Sequence, residues 1–172
     1  MIKTSPLFKI LLLALLLFNV ELFAVSQTQI KAVFLEKFTH LIQWPDKLEN
    51  EFLICVVNDK DFAKALKEIY KTKKFQDKKV KIINVNKKEA LPNCQLLYLG
   101  GDIKESDAFF KQLKNKPMLT VSDQEDYISN DIMITIFLKQ KRFKYVINNR
   151  AAKEVNIDIS YLLLQSAIEV IQ

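Results

Sequence analysis

Residues 52–57 form an unbroken apolar run, Phe52, Leu53, Ile54, Cys55, Val56 and Val57, of strand length and without the alternation of a half-exposed strand. Such a run fits a strand covered on both faces, which is the situation inside a parallel sheet. Asn58 and Asp59 follow immediately and can cap a helix whose apolar positions are Phe62, Ala65, Leu66, Ile69 and Tyr70. A strand buried on two sides and leading straight into an amphipathic helix restricts the chain to layered α/β arrangements.

The remaining segments fit that frame. Upstream, Ile30, Val33, Phe34, Phe38, Leu41 and Ile42 recur at helical spacing and predict a first helix that runs to Trp44, because the residue before Pro45 is pushed out of the helical region. Residues 80–85 read as a second strand and 95–99 as a third, which enters Gly100, Gly101 and Asp102. A helix through Ile103, Phe109, Phe110 and Leu113 precedes a fourth strand at 118–121, and a short helix or turn is expected over 124–129. Residues 132–138 and 142–147 predict two more strands joined by a tight basic hairpin. A short helix over 149–155 and a longer one over 160–171, capped by Ser160, close the chain. The expected fold is α/β: a mostly parallel sheet with helices on both faces and an antiparallel hairpin at one edge.

At the N-terminus, Lys3 and Lys9 precede nine uninterrupted apolar residues at 10–18, after which Asn19 and Glu21 break the run. Spanning a bilayer core takes roughly 20 apolar residues, so the pattern reads as a secretory signal over 1–26, with Ala24 and Ser26 offering a cleavage site before Gln27. An uncleaved anchor is the alternative. Residues 27–172 then form one domain of ordinary size, without a linker, repeat or second apolar span. The chain after the signal is expected to be exported and not to span the membrane.

The formal charge of +6 is modest. The cluster of Lys71, Lys73, Lys74, Lys78, Lys79 and Lys81 reads as a solvated helix end and turn, and no nucleic-acid partner is expected for an exported protein. Cys55 and Cys94 are the only cysteines. Outside the cytoplasm an even pair in a small domain reads as a disulfide, and right-handed crossovers would put the two on neighbouring strands. Two buried free thiols are the other reading.

No catalytic pattern stands out. His40 is the sole histidine and has no metal-ligand spacing around it, and GxSxG, phosphate-loop and HExxH motifs are absent. No cofactor or metal is expected. Gly100, together with Asn58 and Asp59, would sit at the carboxyl edge of the sheet near a strand-order switch, either as a tight turn or as one wall of a small-ligand crevice. Trp44, the only tryptophan, is either a core anchor or an exposed partner contact.

Several pieces, in order, resemble the YfiR-like family of periplasmic proteins. They are residues 30–38 leading into Gln43, Trp44 and Pro45; Ile54, Cys55 and Val56 followed by Asn58, Asp59 and Phe62; residues 94–100; residues 119–122; and 143–148 with Ala151, Ala152, Ile159, Ser160, Leu162 and Leu163. The resemblance implies a non-enzymatic regulator that represses a membrane-bound diguanylate cyclase, or a similar inner-membrane sensor, by binding its periplasmic portion. That would lower cyclic di-GMP and biofilm formation. It also implies a homodimer and redox sensitivity through disulfides. This chain lacks the second cysteine pair of some members, and it carries Asn156 where glycine is usual. A periplasmic small-molecule-binding module that uses the Asn58 and Gly100 edge is the alternative function.

Overall fold

The computed structural model describes residues 26–44, 51–86, 91–101 and 107–172. Of the predicted signal segment only Ser26 lies within them, and Pro45, Asp102 and Ile103 lie outside. Helix α1 (Gln27–Thr39) opens with a capping box in which Ser26 accepts from the Gln29 N–H and Gln29 answers to the Ser26 N–H. Strand β1 (Ile42–Gln43) follows, then β2 (Glu51–Val57), α2 (Lys60–Tyr70), β3 (Lys79–Val85) and β4 (Leu96–Leu99). The second half comprises α3 (Asp107–Lys111), β5 (Leu119–Ser122), a 3-10 helix (Glu125–Asn130), β6 (Ile134–Lys139), β7 (Arg142–Asn148), α4 (Asn149–Glu154), β8 (Asp158–Ile159), α5 (Tyr161–Ser166) and β9 (Glu169–Ile171).

The main sheet has seven strands in the order β3-β2-β4-β5-β6-β7-β9, parallel throughout except for the β6–β7 hairpin. Strand β2 sits inside it, and its alternating side chains serve two cores. Phe52, Ile54 and Val56 pack with α1 and α2, while Cys55 and Val57 pack with Phe109, Phe110 and Tyr127 on the opposite face. The continuous apolar run at 52–57 has this two-sided burial as its cause. A disulfide joins Cys55 to Cys94, with the two Cα atoms 5.9 Å apart.

Two segments differ from the sequence expectation. Helix α1 stops at Thr39 instead of continuing to Trp44, because Ile42 and Gln43 pair antiparallel with Ile159 and Asp158. That pairing buries Ile42, and the Trp44 indole N–H donates to the Thr39 carbonyl at 3.2 Å, taking up one of the acceptors that the helix end leaves open. The buried stripe of α1 is also rotated from the expected one: Ala32, Leu35 and Phe38 face inward and Val33 is exposed.

The second difference is at the C-terminus, where the expected long helix is the six-residue α5 followed by a strand. Ser160 caps it as anticipated. The Ser166 hydroxyl then donates back to the Leu162 carbonyl at 2.8 Å, a bond that weakens helix continuation, and Ala167 turns extended. Val170 and Ile171 join β7 as a short parallel strand outside the hairpin.

Turns follow the chemistry of their residues. Asn156 adopts φ 58°, and the N–H groups of Asn156 and Ile157 donate to the carbonyls of Lys153 and Ala152 at the end of α4, so asparagine fills the left-handed cap position. Gln140 and Lys141 both take positive φ, 51° and 61°, which makes the β6–β7 connection a two-residue turn of the primed kind.

The disulfide closes a loop of 39 residues, a length for which the chain-entropy relation gives about 4 kcal/mol. Replacing both Cys55 and Cys94 by alanine should therefore lower the urea unfolding free energy by roughly that amount. A loss below about 1 kcal/mol would show that the cross-link does not constrain the unfolded chain as assumed.

Candidate functional site at the carboxyl edge of the sheet

With β2 between β3 and β4, the connections after β2 and β4 leave in opposite directions, and the two turns meet at the carboxyl edge. Such a strand-order switch is where open α/β sheets commonly hold ligands. Asn58 follows β2 in the left-handed region at φ 60°, and Asp59 caps α2 by accepting the Phe62 N–H at 2.8 Å. Gly100 follows β4 and donates its N–H to the Val57 carbonyl at 2.9 Å. A methyl group on Gly100 would lie 2.5 Å from the Asp59 Cβ, so the two turns touch and only glycine fits there. Gly101 adopts φ 64° beside the Asn58 carbonyl.

Asn58, Asp59 and Gly100 are thus brought together. Trp44 is not part of that group. It stacks edge-on against Phe52 and Phe75, ring centroids 4.9 and 6.1 Å away, near the start of β2. The six steps from Phe52 to Asn58 put it about 20 Å from the carboxyl edge.

Three residues not singled out in the sequence complete the edge. Lys31 reaches over from α1, with its ammonium 3.2 Å from the Tyr98 hydroxyl and ion-paired to Asp123 just past β5. Tyr98 lies flat on Phe62 at 3.8 Å between centroids, and the Lys31 ammonium sits 5.8 Å from the Phe62 ring. Burial pushes the Tyr98 hydroxyl far above its ordinary value, and the Asp123 and Asp59 carboxylates push the same way, so it stays protonated. Burial works against ionisation of Asp123 too. Hydrogen bonds from Lys31 and Gln124, the Lys31 charge and the Tyr98 hydroxyl outweigh it and hold the carboxyl below its usual range. Lys31 precedes Leu35 and Phe38 by four and seven positions, which sets it on the buried stripe; that spacing is the signal that could have found it.

Among the described residues of this edge, Lys31, Asp123 and Tyr98 satisfy one another and no nucleophile and base pair is present. Elsewhere, Glu36 receives Lys73 at 2.9 Å and lies 3.6 Å from His40, whose ring is 5.2 Å from Phe75. Among the described residues no group of three or more histidine, cysteine or acidic side chains could hold a metal, and no helix is long and apolar enough to cross a membrane.

Gly100→Ala should cost about 1–3 kcal/mol of stability, the scale of an overpacked contact, in chemical denaturation. Lys31→Met should cost about 1–2 kcal/mol, between the effects of an exposed and a buried ion pair. Because the folded-state value of Asp123 is depressed, its contribution is complete above the unfolded value near 4 and is lost as pH falls through the folded value. In Lys31→Met this acid loss should be smaller and should be complete at a higher pH; superimposable pH–stability profiles of the two proteins would contradict the assigned pairing.

Comparison with known proteins agrees with this architecture. No curated protein matches the sequence. A solved conserved domain protein from Vibrio cholerae O1 biovar El Tor strain N16961 superimposes with a TM-score of 0.54 at 14% identity, covering 84% of this chain and 60% of that one. The ABC domain in complex with L-Trp from Streptococcus pneumonia gives 0.53 at 11% identity with the same coverages. The chain therefore spans about 60% of the length of both solved proteins, and likeness at such identities establishes the fold alone. Residues 28–168, from the start of α1 to the turn before β9, match the family described as YfiR/HmsC-like, and the chain belongs to that family.

Proposed function

We propose that this protein is an exported regulator that acts from the periplasm, binding the periplasmic portion of an inner-membrane diguanylate cyclase and holding that enzyme inactive. Membership of the YfiR/HmsC-like family across residues 28–168 carries this reading, since the family points to periplasmic control of cyclic di-GMP signalling. Export rests on the basic and apolar pattern of residues 1–26. Homodimerisation, which the resemblance implies, belongs to the same reading.

A binding role also suits the surface. Helix α5 turns Tyr161 and Leu162 outward at 73% and 66% exposure, and tyrosine is among the residues that most often anchor protein interfaces. The carboxyl edge suits a ligand less well, because Lys31, Asp123 and Tyr98 satisfy one another and the Asp59 side chain lies against Gly100. That favours the regulator over the small-molecule module, with Trp44, Asn58, Asp59 and Gly100 acting as packing and turn residues.

The reading is tested by cross-linking the exported protein in its membrane-bearing envelope fraction and identifying what co-purifies. Recovery of an inner-membrane cyclase with a periplasmic segment supports it; a preparation that carries only a small molecule contradicts it. With that cyclase as ligand, Tyr161→Ala combined with Leu162→Ala should weaken binding by about 2 kcal/mol, roughly thirtyfold, while the unfolding midpoint stays unchanged. Unaltered affinity would remove α5 from the interface.

A further inference from the structure

Strand β7 is longer than the strand that covers it. Its outer neighbour β9 pairs only with Val146, Ile147 and Asn148, and the Ile168 N–H adds one further bond to the Tyr145 carbonyl at 3.0 Å. The Asn148 N–H points the other way, to the Met133 carbonyl at 2.8 Å on the β6 side. Backbone groups alternate in direction along a strand, so odd-numbered residues of β7 face outward and even-numbered ones face β6. Phe143 therefore directs its N–H and carbonyl outward at a place where no described strand lies.

The side chains around this open stretch are of one sign. Lys139, Arg142 and Lys144 line a groove there together with Gln140 and Ile168. Lys139 and Arg142 face each other across the hairpin register, and Lys144 is two residues further along the same face. None of the three cations has an acidic partner within ion-pair distance among the described residues. Ile168, 47% exposed, supplies an apolar contact at the inner end.

Lysine and arginine on an open edge deter pairing with other strands of like charge. A second copy of this chain laid on the Phe143 edge would set cation against cation, and the chain as a whole carries +6. The edge thus selects against itself and for a negatively charged strand. We infer that the open segment of β7 around Phe143 is a docking edge for an extended acidic segment of a partner protein, which would add a strand beside Phe143 and set its carboxylates against Lys139, Arg142 and Lys144. This deepens the regulator reading and rests on it for the partner's identity, although the edge itself is defined by the backbone and charge alone.

The direct test is nuclear magnetic resonance titration of the exported protein with a peptide of about ten alternating glutamate and valine residues, and with its lysine and valine counterpart. The inference expects the Phe143 and Ile168 amides to shift with the acidic peptide only. Affinity should fall about tenfold in Arg142→Glu combined with Lys144→Glu, with the exposed single variant Lys139→Glu moving in the same direction. Absence of shifts at Phe143, binding indifferent to charge reversal, or a response to phosphatidylglycerol vesicles in place of the peptide would overturn it, the last by assigning the groove to a membrane surface. In the envelope cross-linking experiment, a charge-reversed protein that recovers the cyclase as well as the wild type also overturns this inference and leaves the regulator reading intact. If neither protein recovers a cyclase, the regulator reading fails and the peptide titration alone decides the edge.

Discussion

Burial of β2 on both faces is the constraint on which the rest of the structure depends. A strand whose side chains all need cover requires a layer on each side, and α1 with α2 supplies one while α3 and the 3-10 helix supply the other. Parallel pairing with β3 and β4 on either flank then forces the chain to cross the sheet in both directions. That crossing creates the meeting of the Asn58 and Gly100 turns. The disulfide from Cys55 reaches to the approach of β4, so the central pairing is tied covalently as well as by its ladder.

The parts legible in the sequence were those governed by local pattern. The six apolar residues of β2, the Asp59 and Ser160 caps, the basic hairpin and the left-handed Asn156 all follow from side-chain chemistry near in sequence. The misread parts were decided by distant partners. Ile42 has helical spacing with Phe38, yet Ile159, over a hundred residues away, captures it into a strand. Val170 and Ile171 continue an amphipathic pattern, yet the uncovered flank of β7 offers them ladder bonds. At the candidate site the two turns were foreseen from the strand order. The Lys31–Asp123–Tyr98 network was not, because its members lie 92 and 67 positions apart from Lys31 and become neighbours only once α1 lies across the sheet.

The sheet consequently has two unlike regions. At the carboxyl edge, Lys31, Asp123 and Tyr98 pair with one another, the Gly100 turn is filled and Tyr98 is held neutral, which describes a rigid closure more than a receptive crevice among the described residues. At the opposite flank the last strands are short, the cations face solvent and large apolar side chains of α5 stand exposed. The proposed regulator would draw on that margin and leave the closed edge as a support.

The central claim, repression of a cyclase from outside the cytoplasm, is tested most directly by measuring cyclic di-GMP in paired cells that either export the protein or retain a form lacking residues 1–26. The account predicts a lowered nucleotide level only in the exporting cells. Equal levels in the two, with both proteins folded and present in like amount, would contradict it.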